Sequence, residues 1–444
     1  MSLKYLISKE LIPNDGSISI IEEFEKNTNA DILVFPDVHF KRGAMIANGM
    51  LISSQYNIYL SCLGVENCGF TFGKILNNKD ERTLISSFEN YSKLLRDRVN
   101  IPKYSVLEIK MLFEQYLKKE YQKKKFLYNY LGFRSEKELL VAADTILDST
   151  ILKLAAESLC TLGGGNHFFE IHKIVDTFDD DMFKKGEYVF MLHSDSIAVG
   201  DKIYELYSDL HEMKRTGSLK ERLRVAKFKF YQSSYFNRLC KIYPEIKEDL
   251  NKIFQPSDDY QFVDIRTPLG KVLMLAHNLS SIFGEMNRDE IINMWGKSQE
   301  IQTQKISSHS HDNVTAEMHY GKIRIVHRNG VQNIGDDKYC ILPSAMGDFS
   351  FVMKNTFNED AYFSTNHGTG RMQDKHIAKE QYTEKETTKE MGERKVSLFR
   401  VGNGSLAEQN MHAFKDPESI ISEMEKYKLA YKAAKTYPVA VIKG

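Results

Sequence analysis

The run STNHGTGRMQDKH, residues 364–376, sets His367 against a Gly-Thr-Gly turn and follows it with Arg371. An imidazole near neutral pH can be a nucleophile, a metal ligand or a buried hydrogen-bonding group, and the run alone leaves all three open. Gly368 and Gly370 carry no side chain, so an anion can approach the backbone amides closely. A second turn of this kind, TLGGGNHFFE, places Gly163, Gly164 and Gly165 before Asn166 and His167. Neither turn matches the P-loop or the dinucleotide fingerprint.

The chain holds 13 histidines. Several stand beside turn residues: His39 in PDVHFKRG, His193 in MLHSDS, His309 and His311 in SSHSHDNVTAE, and His327 in VHRNG. Singly, each reads as a satisfied core or surface residue; together they suggest a metal site. Cys68 in GVENCGF, beside Glu66, would add a thiolate and a carboxylate, a ligand set suited to zinc, manganese or iron. The five cysteines are odd in number and form no C-x-x-C pair, which argues against a disulfide framework or a zinc knuckle. ILPSAMGDFSFVM, with Ser344, Gly347 and Ser350, reads as an ordinary turn between strands or as one wall of a nucleotide site.

These residues need elements to bring them together. DILVFPDVHF, EYVFMLHSD, KIRIVHRNG and DFSFVM read as strands, and the first three carry a histidine near a turn signal, where strand ends converge easily. Residues 106–130 and 201–249 show helical spacing and read as insertions within about 100–145 and 201–250. Each is basic on one face. Lys123, Lys124, Lys125, Lys214, Arg215, Arg222, Arg224 and Lys227 form either a solvated face or a nucleic-acid contact. The charged stretch 375–395 reads as an exposed helix or loop.

No repeat or linker divides the 444 residues, so a single domain over 1–444 is expected. Strands and helices without a βαβ rhythm indicate the α+β class. Hydrophobic content of 42%, charged content of 27% and 9 prolines place the chain among globular proteins. Sixty basic and 60 acidic residues cancel, which excludes a uniformly basic coat and leaves room for a local basic groove. The first residues lack the apolar run of a signal peptide, and no segment reaches about 18 uninterrupted apolar residues. A cytoplasmic location without membrane contact is expected.

In this order, from PDVH to the final YPVAVIKG, the motifs resemble the RtcB family of tRNA-splicing and RNA-repair ligases. The resemblance implies a compact single-domain ligase fold with helical insertions. It implies an enzyme that uses GTP and two Mn2+ ions to join an RNA 3'-phosphate or 2',3'-cyclic phosphate to a 5'-hydroxyl end, through a guanylylated histidine. The family's HGAGR histidine falls on His367, with Thr369 in place of alanine, and Asp37 of PDVH is a further catalytic candidate. The metal ligands fall on Cys68, His167, His193 and His311.

The guanylate pocket falls on Asn166, His167, Phe168, Phe169, Glu170, His311, Asp312, Pro343, Ser344, Ala345, Met346, Ser350, His367, Gly368, Thr369, Gly370 and Lys443. Departures from the pattern imply a divergent paralogue. The family's aspartate three residues before the cysteine falls on Val65, which leaves Glu66 as its substitute. HSGSRGLG becomes HSDSIAVG, with Asp195, Ile197 and Ala198, and HRKGA becomes HRNGV. Asp374 and Lys375 stand in place of serine and arginine. The alternatives are a metal-dependent RNA-end phosphodiesterase, a 3'-end guanylyl-capping enzyme, or a non-catalytic RNA-end-binding protein. An archease-type activator is a further partner the family implies.

Overall fold

The computed structural model describes residues 3–40, 46–63, 67–76, 79–98, 101–178, 181–208, 219–253 and 261–444. The larger of two principal sheets has the order Tyr339–Leu342, Ser350–Asn355, Ala430–Lys443, Phe168–Thr177, Tyr188–Ser194, Gly69–Ile75, Thr303–Ser310. Ser397–Arg400 adds to the long strand Ala430–Lys443 in parallel. The second sheet runs Leu3–Tyr5, Asp31–His39, Asn48–Ser54, Lys322–Asn329, Asp312–His319. Mixed parallel and antiparallel pairing, with helices packed against the sheets, is the expected α+β class.

The sheets are joined where one strand hands over to another. Thr303–Ser310 belongs to the large sheet and Asp312–His319 to the small one, so His311 is the joint between them. The His311 amide donates to the Cys68 carbonyl at 2.8 Å, and the His311 carbonyl accepts the Val331 amide at 3.0 Å. Backbone groups at such a crossing have no ladder of their own, and these bonds satisfy them.

The 32-residue helix Pro268–Gln299 underlies the large sheet. Thr267 caps it, accepting from the Gly270 amide at 3.1 Å, and Pro268 sits where its missing N–H costs nothing. Its long buried face carries Leu273, Leu279, Phe283 and Trp295. Trp295 stacks edge-on against Phe88 and Phe169.

Both expected insertions are helical: Val106–Lys123, Lys125–Tyr130 and Glu136–Ile146, then Ile197–Ser208, Leu219–Ile242 and Ile246–Ile253. Ile109, Phe113, Leu117 and Tyr121 recur every four residues and face the same apolar cluster as Pro268–Gln299. The lysines lie on the other side. Lys123 and Lys125 are exposed, and Lys124 pairs with Glu120 at 3.0 Å, as a solvated face would. Lys214 and Arg215, with the side chains of Arg222 and Arg224, lie outside the described residues. The charged stretch forms the capped helices Lys375–Gln381 and Glu384–Glu393. Among the described residues, no helix is long and apolar enough to cross a membrane.

Candidate active site

His367 follows the short strand Ser364–Asn366, and Asp37 lies in Asp31–His39. The pairing of Asp31–His39 with Asn48–Ser54 breaks register between Val34 and His39. Such irregularities re-aim side chains, and here fully buried Asp37 accepts from His367 Nδ1 at 2.6 Å and from the His367 amide at 3.1 Å. Gly370, at φ +77°, makes the approach possible, since a Cβ there would lie 2.5 Å from the Asp37 carbonyl oxygen. A carboxylate only accepts, so Nδ1 carries the proton and Nε2 keeps its lone pair in the neutral ring. Burial pushes the His367 pKa down, but the Asp37 hydrogen bond and charge, with Asp312 behind, outweigh it and leave the value raised.

Cys68, His167 and His193 offer donor atoms that all lie within 4.8 Å of one another, and all three are buried. Cys68 precedes Gly69–Ile75, His167 precedes Phe168–Thr177, and His193 is the partner of both Phe70 and Phe168 in the ladder. Three adjacent strands therefore deliver the cluster. Cys68 Sγ is 3.3 Å from His167 Nε2, and His193 Nε2 is 2.9 Å from His311 Nε2. Gly163, at φ +87°, leaves space for the His167 ring, because its Cβ would sit 2.4 Å from Nδ1.

Burial pushes the His167 pKa to about 3, helped by Lys443, and lowers His193 and His311 as well. Neutral imidazoles converging on a thiol fit a divalent cation of the borderline class. The His311 and His367 rings are 5.1 Å apart, so the candidate nucleophile adjoins the candidate metal centre.

Both line one cleft of about 480 Å³. Its walls include Gly164, Gly165, Asn166, Phe168, Glu170, Asp312, Pro343, Ser344, Ala345, Met346, Gly368, Thr369 and Lys443. Within it Ser344 Oγ, Thr369 Oγ1 and Arg371 Nη1 are buried without a hydrogen-bond partner. Such orphans carry a cost unless a ligand meets them. Lys443, which position alone would suggest is frayed, is only 3% exposed. It sits in the middle of the sheet opposite Phe168 and Arg400. Burial lowers its pKa to about 7, with Glu170 opposing.

Most expected residues thus meet, with exceptions. Phe169 faces away from the cleft, against Phe88 at 4.8 Å and Trp295 at 5.2 Å, because neighbouring strand positions point to opposite faces. Ser350 lies behind the loop and accepts the Ser344 amide at 3.1 Å, so it shapes the wall without lining the cleft. Glu66 lies outside the described residues. Two histidines of the wider set serve elsewhere. His327 Nε2 accepts the Tyr59 amide at 3.0 Å, and His309 pairs with Asp337 at 2.9 Å. Sequence reading missed Asp195 and Gln409 as cleft residues. The one available signal was that Asp195 stands two residues after His193, on the same side of an extended chain.

These features define an α+β protein with a cysteine–histidine cluster beside a carboxylate-held histidine in one cleft. The family model described as tRNA-splicing ligase RtcB matches residues 26–444, and the chain belongs to that family. The chain is 24% identical over 342 residues to the tRNA-splicing ligase RtcB of Methanococcus maripaludis, covering 68% of this chain and 63% of that protein. It is 26% identical over 237 residues to the RNA-splicing ligase RtcB of Escherichia coli K12, covering 51% and 48%. It is 23% identical over 437 residues to the tRNA-splicing ligase RtcB of Methanocaldococcus jannaschii, covering 89% and 41%. The chain spans less than two thirds of the length of each of these relatives.

Proposed function

We propose that the chain is a GTP- and Mn2+-dependent RNA ligase acting on 3'-phosphate or 2',3'-cyclic phosphate ends and 5'-hydroxyl ends, in RNA repair or tRNA splicing. The observation that carries this reading is the Asp37–His367 pair, set against the Cys68–His167–His193–His311 cluster in one cleft. Asp37 orients the ring so that His367 Nε2 attacks the α-phosphorus of GTP; an N–P bond forms and pyrophosphate leaves. The RNA 3'-phosphate then takes GMP and frees the histidine. Finally the 5'-hydroxyl oxygen attacks the activated phosphate, losing its proton, and GMP departs. A cyclic phosphate end is hydrolysed first.

Cys68, His167, His193 and His311 would hold the manganese ions, which neutralise charge on phosphate oxygens and polarise an attacking hydroxyl. Ser344, Thr369 and Arg371 supply the donors that phosphate or sugar oxygens require, and Lys443 and Glu170 face the nucleotide from the sheet. The cytoplasmic location expected from the sequence and the archease-type activator implied by the resemblance belong to the same proposal.

The test incubates the protein with Mn2+ and α-labelled GTP, then follows label on protein, on RNA 3'-phosphate and as ligated product. Absence of labelled protein with any divalent metal overturns the covalent mechanism. Ile197 in place of the family's basic residue favours a second reading, a guanylyl-capping enzyme that does not seal. Label that stops on RNA would select it.

A further inference from the structure

We propose that Asp195 is a carboxylate ligand of the cation held on the His167 side of the cluster, supplying the oxygen donor that Val65 cannot. The inference rests on the metal reading above. Asp195 Oδ2 lies 3.6 Å from His167 Nε2, which is itself 3.3 Å from Cys68 Sγ. His167 Nε2 therefore has a sulfur donor on one contact and a carboxylate oxygen on another. Separations of about 3–3.6 Å are those of neighbouring ligands on one ion with bonds of about 2.0–2.3 Å. His193 shares the donor group with Cys68 and His167, and its Nε2 lies 2.9 Å from His311 Nε2.

The backbone explains why this residue reaches the site. His193, next to last in the strand Tyr188–Ser194, points into the cluster, and Asp195, two positions on, falls on the same side. Between them Ser194 turns away, its hydroxyl donating to the Leu162 carbonyl at 3.0 Å. Buried Arg288 donates to the Ser194 carbonyl at 3.1 Å and fixes the strand end. The side chain of Asp195 is only 13% exposed.

The residue also fits the sequence. Asp195 replaces a family glycine, and Val65 replaces a family aspartate, so the chain carries one carboxylate lost and one gained around the same cysteine.

Mn2+ binding to the full chain is measured by isothermal titration and by the electron paramagnetic resonance of free Mn2+, with melting temperature as a fold control. Wild type should bind two ions. Asp195→Asn and Asp195→Gly should weaken one of them about tenfold or more. Glu66→Gln should bind as wild type does. If wild type binds Mn2+ and Asp195→Asn binds it equally, the Asp195 assignment falls and the metal reading stands. The assignment also falls if Glu66→Gln loses the ion instead. If wild type binds no Mn2+, the metal reading falls and takes this inference with it.

Discussion

The Asp37 carboxylate accepts both the ring Nδ1–H and the backbone amide of His367, at 2.6 and 3.1 Å, across 330 residues of chain. Two bonds from one buried oxygen fix the ring plane and the tautomer together. They also hold the His367 pKa above the ordinary histidine value of 6.5 despite burial, which lowers it.

The first prediction follows from that pair. Asp37→Asn keeps the shape, removes the charge and can no longer stabilise the cation that forms as Nε2 attacks. Covalent labelling by GTP should slow by about 100-fold or more. Only the neutral ring attacks, so the wild-type rate should rise with pH through the His367 pKa and then level. Without Asp37 that pKa drops, and the rise should move to lower pH. A slow variant with an unmoved profile would reject the orienting role and leave Asp37 as packing alone.

Gly163→Ala tests the turn. The substituted methyl would meet His167 Nδ1 at 2.4 Å, in a backbone conformation that disfavours side chains. His167 must then shift from its place beside Cys68. Mn2+ affinity should fall about 10- to 100-fold, by analogy with loss of a group that positions a ligand. Gly164→Ala meets open space and should bind as wild type does. Equal losses in both variants would point to general loosening of the loop.

How much of this was legible in the sequence depends on the length scale involved. Strand ends and glycine turns are local signals, and they single out a wider set of histidines with Cys68; the choice of Cys68, His167, His193, His311 and His367 within that set comes from the family resemblance, since His309 and His327 carry the same signals and serve elsewhere. The strands 31–39, 188–194 and 322–329 were equally readable from apolar runs. The role of Asp37 as the partner of His367 was not, because a register break in one sheet creates it. Phe169 was misplaced for the opposite reason. Its motif neighbours Phe168 and Glu170 both line the cleft, and only strand alternation against Trp295 separates it from them. Position alone would make Lys443 a loose end, whereas pairing of Lys443 with both Phe168 and Arg400 places it inside a sheet.

Lys443 provides a prediction about nucleotide binding. Its pKa of about 7 leaves it half charged at neutral pH, whereas a free lysine titrates near 10.5. A bound phosphate favours the charged form, so binding takes up a proton. Metal-free GMP affinity should therefore fall as pH rises above about 7. Lys443→Met should weaken GMP about 10- to 100-fold at pH 6.5, the loss of one charge-assisted hydrogen bond of ~1.5–3 kcal/mol. Lys443→Arg stays charged and should flatten the dependence to the share His367 contributes. A pH profile identical in Lys443→Arg and wild type would show that Lys443 does not meet the anion.

The last prediction concerns stability. His327 is 1% exposed, and its Nε2 accepts the Tyr59 amide, a bond that requires the unprotonated ring. Burial, with a smaller push from His277, lowers its pKa to about 3, and burial lowers His277 to about 4. In the unfolded chain both titrate near 6.5, so between those values the unfolded state binds more protons. Their contribution is complete above about pH 6.5 and is lost progressively as pH falls toward 3, at about 1.4 kcal/mol per pH unit for each ring. Denaturant unfolding at pH 7 and pH 5 should show that loss in wild type. His327→Gln retains an acceptor and does not titrate, so it should remove one proton's worth of the slope even if it unfolds more easily at pH 7. Parallel pH dependences in the two proteins would mean that His327 is protonated in the native state, and that the bond to Tyr59 does not form in solution.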